Sequence, residues 1–144
     1  MANLVLPHGG ELRPRLVKSE ELAEARKRAA KLPKVRMTSS ETSDLIMIEI
    51  GAFSPVDGFM GRKDWEEVCK EFKTAKGIFW PIPITLSVST DVASGLREGG
   101  EVALIDRESG ELMSSIKVEE KYAIDKCYEK ETLAWEKKGK IPYG

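Results

Sequence analysis

Residues 51–60 read GAFSPVDGFM, and residues 80–88 read WPIPITLSV. Gly51, Pro55 and Gly58 interrupt regular structure in the first stretch, and Pro81 and Pro83 do so in the second. Phe53, Phe59, Met60, Trp80 and Ile82 are the apolar side chains these broken segments must cover. A Gly-x-Phe-Ser-Pro turn brings a ring inward where the chain reverses, so core packing is one role for Phe53, Phe59 and Trp80. A face toward another domain or subunit is the other, because aromatics and methionine are enriched at such surfaces. Both readings stand at the level of sequence.

Working outward, the clearest element follows the first stretch. Trp65, Val68, Cys69 and Phe72 recur at i, i+3, i+4 and i+7, which predicts an amphipathic helix over Arg62–Phe72 with those four buried. Lys63, Glu66, Glu67 and Lys70 supply its wet face, and Gly77 marks the loop beyond. Upstream, a helix is expected from about Glu20 to Leu32. Ser19 is its N-cap, Glu20 and Glu21 favour its positive end, Arg28 and Lys31 its negative end, and Pro33 stops it. Ser43–Ile50 is a short apolar run of ambiguous period. Asp44 as cap and Gly51 as stop favour helix.

The second half changes character. Ile84–Ser89 is rich in β-branched residues and reads as a strand, with the WPIP prolines at its entrance or on a sheet edge. Glu101–Asp106 follows a Gly-Gly turn, and Arg107–Gly110 connects it as a hairpin to Glu111–Val118. A last helix is expected over about Lys126–Lys138. Helices in the first half and antiparallel strands in the second give an α+β class with a curled sheet. At 144 residues one domain is expected, long enough to bury a core unaided.

Composition excludes several functions. The 23 basic and 24 acidic side chains nearly cancel, so net charge gives no pull toward nucleic acid or an anionic membrane. Cys69 and Cys127 form neither a disulfide framework nor a zinc spacing, and two isolated thiols fit a reducing cytoplasm. The opening has no basic n-region and Pro7 cuts its apolar run, so no signal peptide is expected. Nothing approaches the roughly 20 apolar residues of a membrane helix.

The chemistry-bearing residues are sparse. His8 is the only histidine, which leaves no paired-histidine phosphate site and no histidine-rich metal site. There is no G-x-x-x-x-G-K-[ST], G-x-G-x-x-G or G-x-S-x-G. Gly58 and Gly61 followed by Arg62 and Lys63 open a helix and form a weak anion-site candidate, but with no phosphate-loop motif a turn with a helix cap is the favoured account of them. Arg26, Lys27, Arg28, Lys31, Lys34 and Arg36 make one locally basic stretch. It is either a solvated helix end or an RNA or anion patch, and it lacks the interleaved aromatics that stack bases. Glu66-Glu67 and Glu119-Glu120 are neighbours in sequence and cannot converge as an acid/base pair.

Several stretches together resemble the sulfate adenylyltransferase (ATP sulfurylase) family. They are the opening PHGGELRPRLV, then SDLIMIEIGAFSPVDGFMGRKDWEEV, then WPIPITLSV and GEVALID, in that order over about residues 4–118. The resemblance implies the family's N-terminal domain, a PUA-like β-barrel, antiparallel or mixed, with helices packed around it. It implies a role in sulfur metabolism, with sulfate assimilation among the pathways. The family's reaction joins ATP and sulfate into adenosine 5'-phosphosulfate and pyrophosphate. Its Gln-x-Arg-Asn-Pro-x-His-x-x-His motif belongs to a following nucleotidyltransferase domain, and nothing here matches it. From about Lys126 the chain also departs from the family pattern, with ETLAWEKKGKIPYG in place of a His-Pro-Gly segment. The resemblance therefore implies an accessory domain with no catalytic, substrate-binding or metal residue of its own and no cofactor on this chain. ATP and magnesium would belong to the catalytic domain. The implied partners are that domain and further copies in a homo-oligomer, with no membrane or nucleic acid. A free-standing PUA-like RNA-binding module is the alternative.

Overall fold

The computed structural model describes residues 4–124. Its elements are α1 (Leu22–Ala30), β1 (Lys34–Met37), α2 (Ser39–Glu49), α3 (Arg62–Glu71), α4 (Thr90–Gly95), β2 (Glu101–Asp106) and β3 (Leu112–Lys117). The described residues divide into two compact units. One is formed by residues 4–59 with 85–121, the other by 60–84 with 122–124. The helix expected over Lys126–Lys138 lies outside the described residues.

The first unit is built on a mixed sheet of order β1-β2-β3. β2 and β3 form the expected hairpin, antiparallel, with Val102 opposite Ile116. Asp106 shapes its turn: the Ser109 N–H and hydroxyl both donate to Asp106 Oδ2, at 2.9 and 2.6 Å. β1 is an addition to the expected elements. It pairs parallel to β2, with Val35 opposite Leu104 and Met37 opposite Asp106. A four-residue strand whose partner lies some 70 positions away in the chain has no local signature. The expectation of antiparallel strands confined to the second half is corrected accordingly. Among the described residues the sheet is open at three strands and closes no barrel.

Alternation sorts the side chains of β1. Val35 and Met37 point to one face, Lys34 and Arg36 to the other. The first face meets Val102, Leu104 and Leu45 in the core, with Phe59, Leu86, Met113 and Ile116 packed around them. Met37 and Leu104 are fully buried, each contributing on the order of 1.5–3 kcal/mol. β2 is buried from Val102 through Ile105. That explains why its sequence is a continuous apolar run rather than an alternating one.

Two helix starts differ from expectation. α1 begins at Leu22, not Glu20, and Ser19 does not cap it. A turn precedes it instead, in which the Lys18 and Ser19 carbonyls accept from Glu21 and Leu22, so the first amides need no hydroxyl. α2 begins at Ser39, so Asp44 sits inside the helix rather than at its cap. The cap is Thr38, in a reciprocal capping box with Glu41. Gly51 ends α2 as expected, at φ 80°. Residues 84–89 are not a strand. β-branched residues suit a pleated surface, but among the described residues no strand pairs with them.

In the second unit, α3 buries Trp65, Val68 and Cys69. Phe72 departs from this stripe. It is the C-cap, in the left-handed region at φ 53°, and is 42% exposed. The helical spacing that aligned it with Trp65 ends one residue earlier. The Trp65 ring lies 6.0 Å from that of Tyr122, whose hydroxyl donates to the Met60 carbonyl at 2.6 Å. The WPIP segment belongs to no strand; the Trp80 N–H donates to the Phe72 carbonyl at 2.7 Å.

Candidate functional site

Two of the informative sequence stretches are one structural piece. The opening HGGELRPR lies against the GAFSPVD turn. The Arg13 N–H donates to Ser54 Oγ at 2.8 Å, and the Arg15 N–H to the Glu49 carbonyl at 2.7 Å. Ser54 is buried, its hydroxyl donating to the Gly51 carbonyl at 2.6 Å. The approach is close enough to require glycine at two places. A Cβ on Gly9 would come within 2.7 Å of the Pro55 ring, and one on Gly51 within 3.0 Å of the Pro14 nitrogen. Both have positive φ. The Ser54–Pro55 peptide is cis.

Arg13 and Arg15 converge on the Asp57 carboxylate, and Arg13 also meets Glu11 at 3.5 Å. The cavity of about 370 Å³ beside them is thus lined by paired charges, Glu11 and Asp57 against the two arginines. The sequence reading did not single out this trio. Glu11 and Arg13 stand two apart, but Asp57 is remote in the chain, and only the folded turn brings it in.

The residues singled out in the sequence lie apart. Phe59 packs against the first unit's core, and Phe53 is half-buried in the turn after α2. Trp80 is half-buried in the second unit. His8 is exposed next to the Gly9-Gly10 turn. At the start of α3, Arg62 Nε donates back to Glu66 Oε1 at 3.0 Å, a pair on one helix face. The basic stretch is divided between two elements. Arg26, Lys27 and Arg28 are on α1, where Arg28 pairs with Glu101 at 3.8 Å, while Lys34 and Arg36 are on β1.

Two carboxylates are shifted in opposite directions. Donors from Ser109 hold Asp106 below the ordinary carboxylate range, and Thr42 adds a weaker hydrogen bond. Burial pushes Asp44 upward, and the neighbouring Glu41 carboxylate adds to it.

What the surface does offer is apolar area. α2 buries Leu45 and Ile48 but exposes Ile46, Met47 and Ile50. From Leu45 onward α2 thus carries apolar side chains on its exposed as well as its buried face. The opening segment adds Leu4, Val5 and Leu6, more than three-quarters exposed, with Leu12 and Leu16. The Arg15–Glu49 hydrogen bond sets this segment against the end of α2.

A model of the PUA-like domain family matches residues 5–143. A protein of Thiobacillus denitrificans named sulfate adenylyltransferase is 50% identical over 130 residues, covering 90% of this chain and 32% of its own length. A sulfate adenylyltransferase of Syntrophobacter fumaroxidans is 50% identical over 94% of this chain and 33% of its own. One of Chlorobium chlorochromatii is 53% identical over 88% of this chain. The chain spans about a third of the length of these relatives. Among solved structures, a hexameric APS kinase from Thiobacillus denitrificans superposes with a TM-score of 0.68 at 31% identity. The match covers 79% of this chain and 23% of that one.

Proposed function

Because the chain belongs to the PUA-like domain family, we propose that it is the accessory domain of a sulfate adenylyltransferase, one that braces a catalytic domain and takes part in subunit contacts. The observation that carries this reading is the half-identity to sulfate adenylyltransferases over about a third of their length. A domain sharing half its residues with such enzymes, with one histidine and no nucleotide-binding motif, fits support rather than chemistry. Stabilising charge on an α-phosphate and a departing pyrophosphate needs preorganised donors or a metal. Those groups, with ATP and magnesium, are assigned to the catalytic portion.

The exposed apolar residues of α2 and the opening segment are the contact surface in this reading. Ile46, Met47 and Ile50 are the anchors on a helix already rigid by its capping box. Phe59 serves the core, and Phe53 and Trp80 the signature turns. The hexameric state of the structurally similar APS kinase supports a place for such domains in oligomers.

The test mixes the purified chain with a separately expressed catalytic portion of the Thiobacillus denitrificans relative and follows sulfate-dependent pyrophosphate release. The chain alone is expected to release none above background, and addition of it to raise the activity or stability of the catalytic portion. Turnover by the chain alone, or no effect on the catalytic portion with no association on a sizing column, would overturn the proposal.

A further inference from the structure

A second depression, of about 530 Å³, lies within the first unit and is unrelated to the apolar surface just described. Lys34 and Arg36 reach it from the outward face of β1. Arg107 joins them because its backbone N–H donates to the Met37 carbonyl at 3.1 Å, which fixes the start of the hairpin turn beside the end of β1. Residues two apart on a strand are about 6.5–7 Å apart on the same face, so these cations fall within the reach of one ligand.

Lys34 Nζ donates to the Ala30 carbonyl at the end of α1 at 3.4 Å, but the guanidinium charges are not used up by the fold. Arg13, Arg15, Arg28 and Arg62 each have a carboxylate partner, but neither Arg36 nor Arg107 makes an ion pair among the described residues. The nearby acids are occupied elsewhere. Glu41, in the groove wall, accepts from the Thr38 N–H and hydroxyl at 2.9 and 3.0 Å and from the Ser87 N–H at 2.7 Å. Asp106 takes donors from Ser109 and Thr42, and Glu108 takes the Ser39 hydroxyl. The lining therefore carries three cations against one engaged carboxylate.

The other wall is of a different kind. Ser87 and Ser89 present hydroxyls, and Val88 and Val92 present exposed methyl groups. Guanidinium forks match tetrahedral oxyanions, and a hydroxyl adds a donor. Aliphatic side chains next to them suit an apolar body attached to that anion.

We propose that this groove binds a phosphoryl or sulfuryl group carried on a small organic molecule, with Lys34, Arg36 and Arg107 on the oxyanion and Val88 and Val92 against the carrier. The two oxyanions share their geometry and donors, and the test separates them.

Phenyl phosphate, phenyl sulfate, inorganic phosphate and inorganic sulfate are titrated into the purified chain while amide resonances are followed. Saturable shifts are expected for residues 34–38, 87–92 and 107, with the phenyl esters tighter than the bare ions. The tighter of the two esters identifies the preferred group. Arg36→Gln and Arg107→Gln should each weaken it by about tenfold, the loss expected for one charge-assisted contact. Arg26→Gln, on α1 outside the groove, should leave it unchanged. All three are exposed positions, and the unperturbed remainder of each spectrum reports that the variant is folded. No saturable shift at tens of millimolar ligand would overturn the proposal. So would equal weakening by Arg26→Gln, or binding of a single-stranded RNA oligonucleotide that phenyl phosphate fails to displace.

Discussion

The carboxylate of Glu41 receives the backbone N–H of Ser87 at 2.7 Å, across 46 positions of chain. The same side chain closes the capping box of α2 with Thr38. One buried acid thus starts a helix and fixes Ser87 in the segment 85–89, which pairs with no strand among the described residues. Glu41→Ala leaves three donors unmatched. It should destabilise the fold by about 2–3 kcal/mol, and Glu41→Gln, which keeps acceptor capacity, by less. Urea denaturation compares the two; equal losses would mean that charge rather than acceptance matters.

Trp65 and Phe72 share a helical stripe in sequence but not in burial. Trp65→Ala should cost about 3–5 kcal/mol, the range for a large aromatic removed from a packed site. Phe72→Ala should cost less than Trp65→Ala, since Phe72 is 42% exposed beyond the helix end while Trp65 is buried. Comparable thermal shifts for both variants would show that the stripe continues past Glu71.

The two shifted carboxylates predict opposite pH dependences. Asp106 titrates lower in the folded chain than its ordinary 3.8, so its contribution is full above 3.8 and is lost as pH falls through the folded value. Asp44 titrates higher than 3.8, so its contribution is unfavourable once ionised and appears as pH rises from 3.8 through the folded value. Asp106→Asn should flatten the acid side of the stability profile, and Asp44→Asn should remove the decline on the other side. Carboxyl resonances followed from about pH 2 to 7 check both directions.

Charging α2's outer face separates docking from folding. Ile46→Glu and Ile50→Glu replace residues 42% and 49% exposed, so each should change stability by no more than about 1 kcal/mol. In the mixing assay with the catalytic portion they should abolish the rise in activity or stability. Unimpaired complementation by the double variant would move the contact to another face.

Much of the local structure is legible in the residues themselves. The β2–β3 hairpin follows from an apolar run, a turn segment and a second run close together in the chain. α3 follows from its periodicity, and the end of α2 from Gly51. Each depends on neighbours in the chain, which is what a pattern can record. The capping box Thr38-Ser39-Ser40-Glu41 is equally legible, yet the apolar run beginning at Leu45 draws the expected start of α2 to Asp44 instead.

What the sequence by itself determined was an α+β chain with one histidine, no phosphate loop and a succession of turns that resemble a known enzyme family. The tertiary structure alone decided the parallel pairing of β1 with β2, the meeting of Arg13 and Arg15 with Asp57, and the grouping of Lys34 and Arg36 with Arg107. It also decided that 84–89 lies outside the strands of the described residues and that Phe72 turns outward. Most of these features join residues tens of positions apart, where no local propensity or spacing acts. They are fixed by which surfaces can be buried together and which backbone and charged groups then find partners.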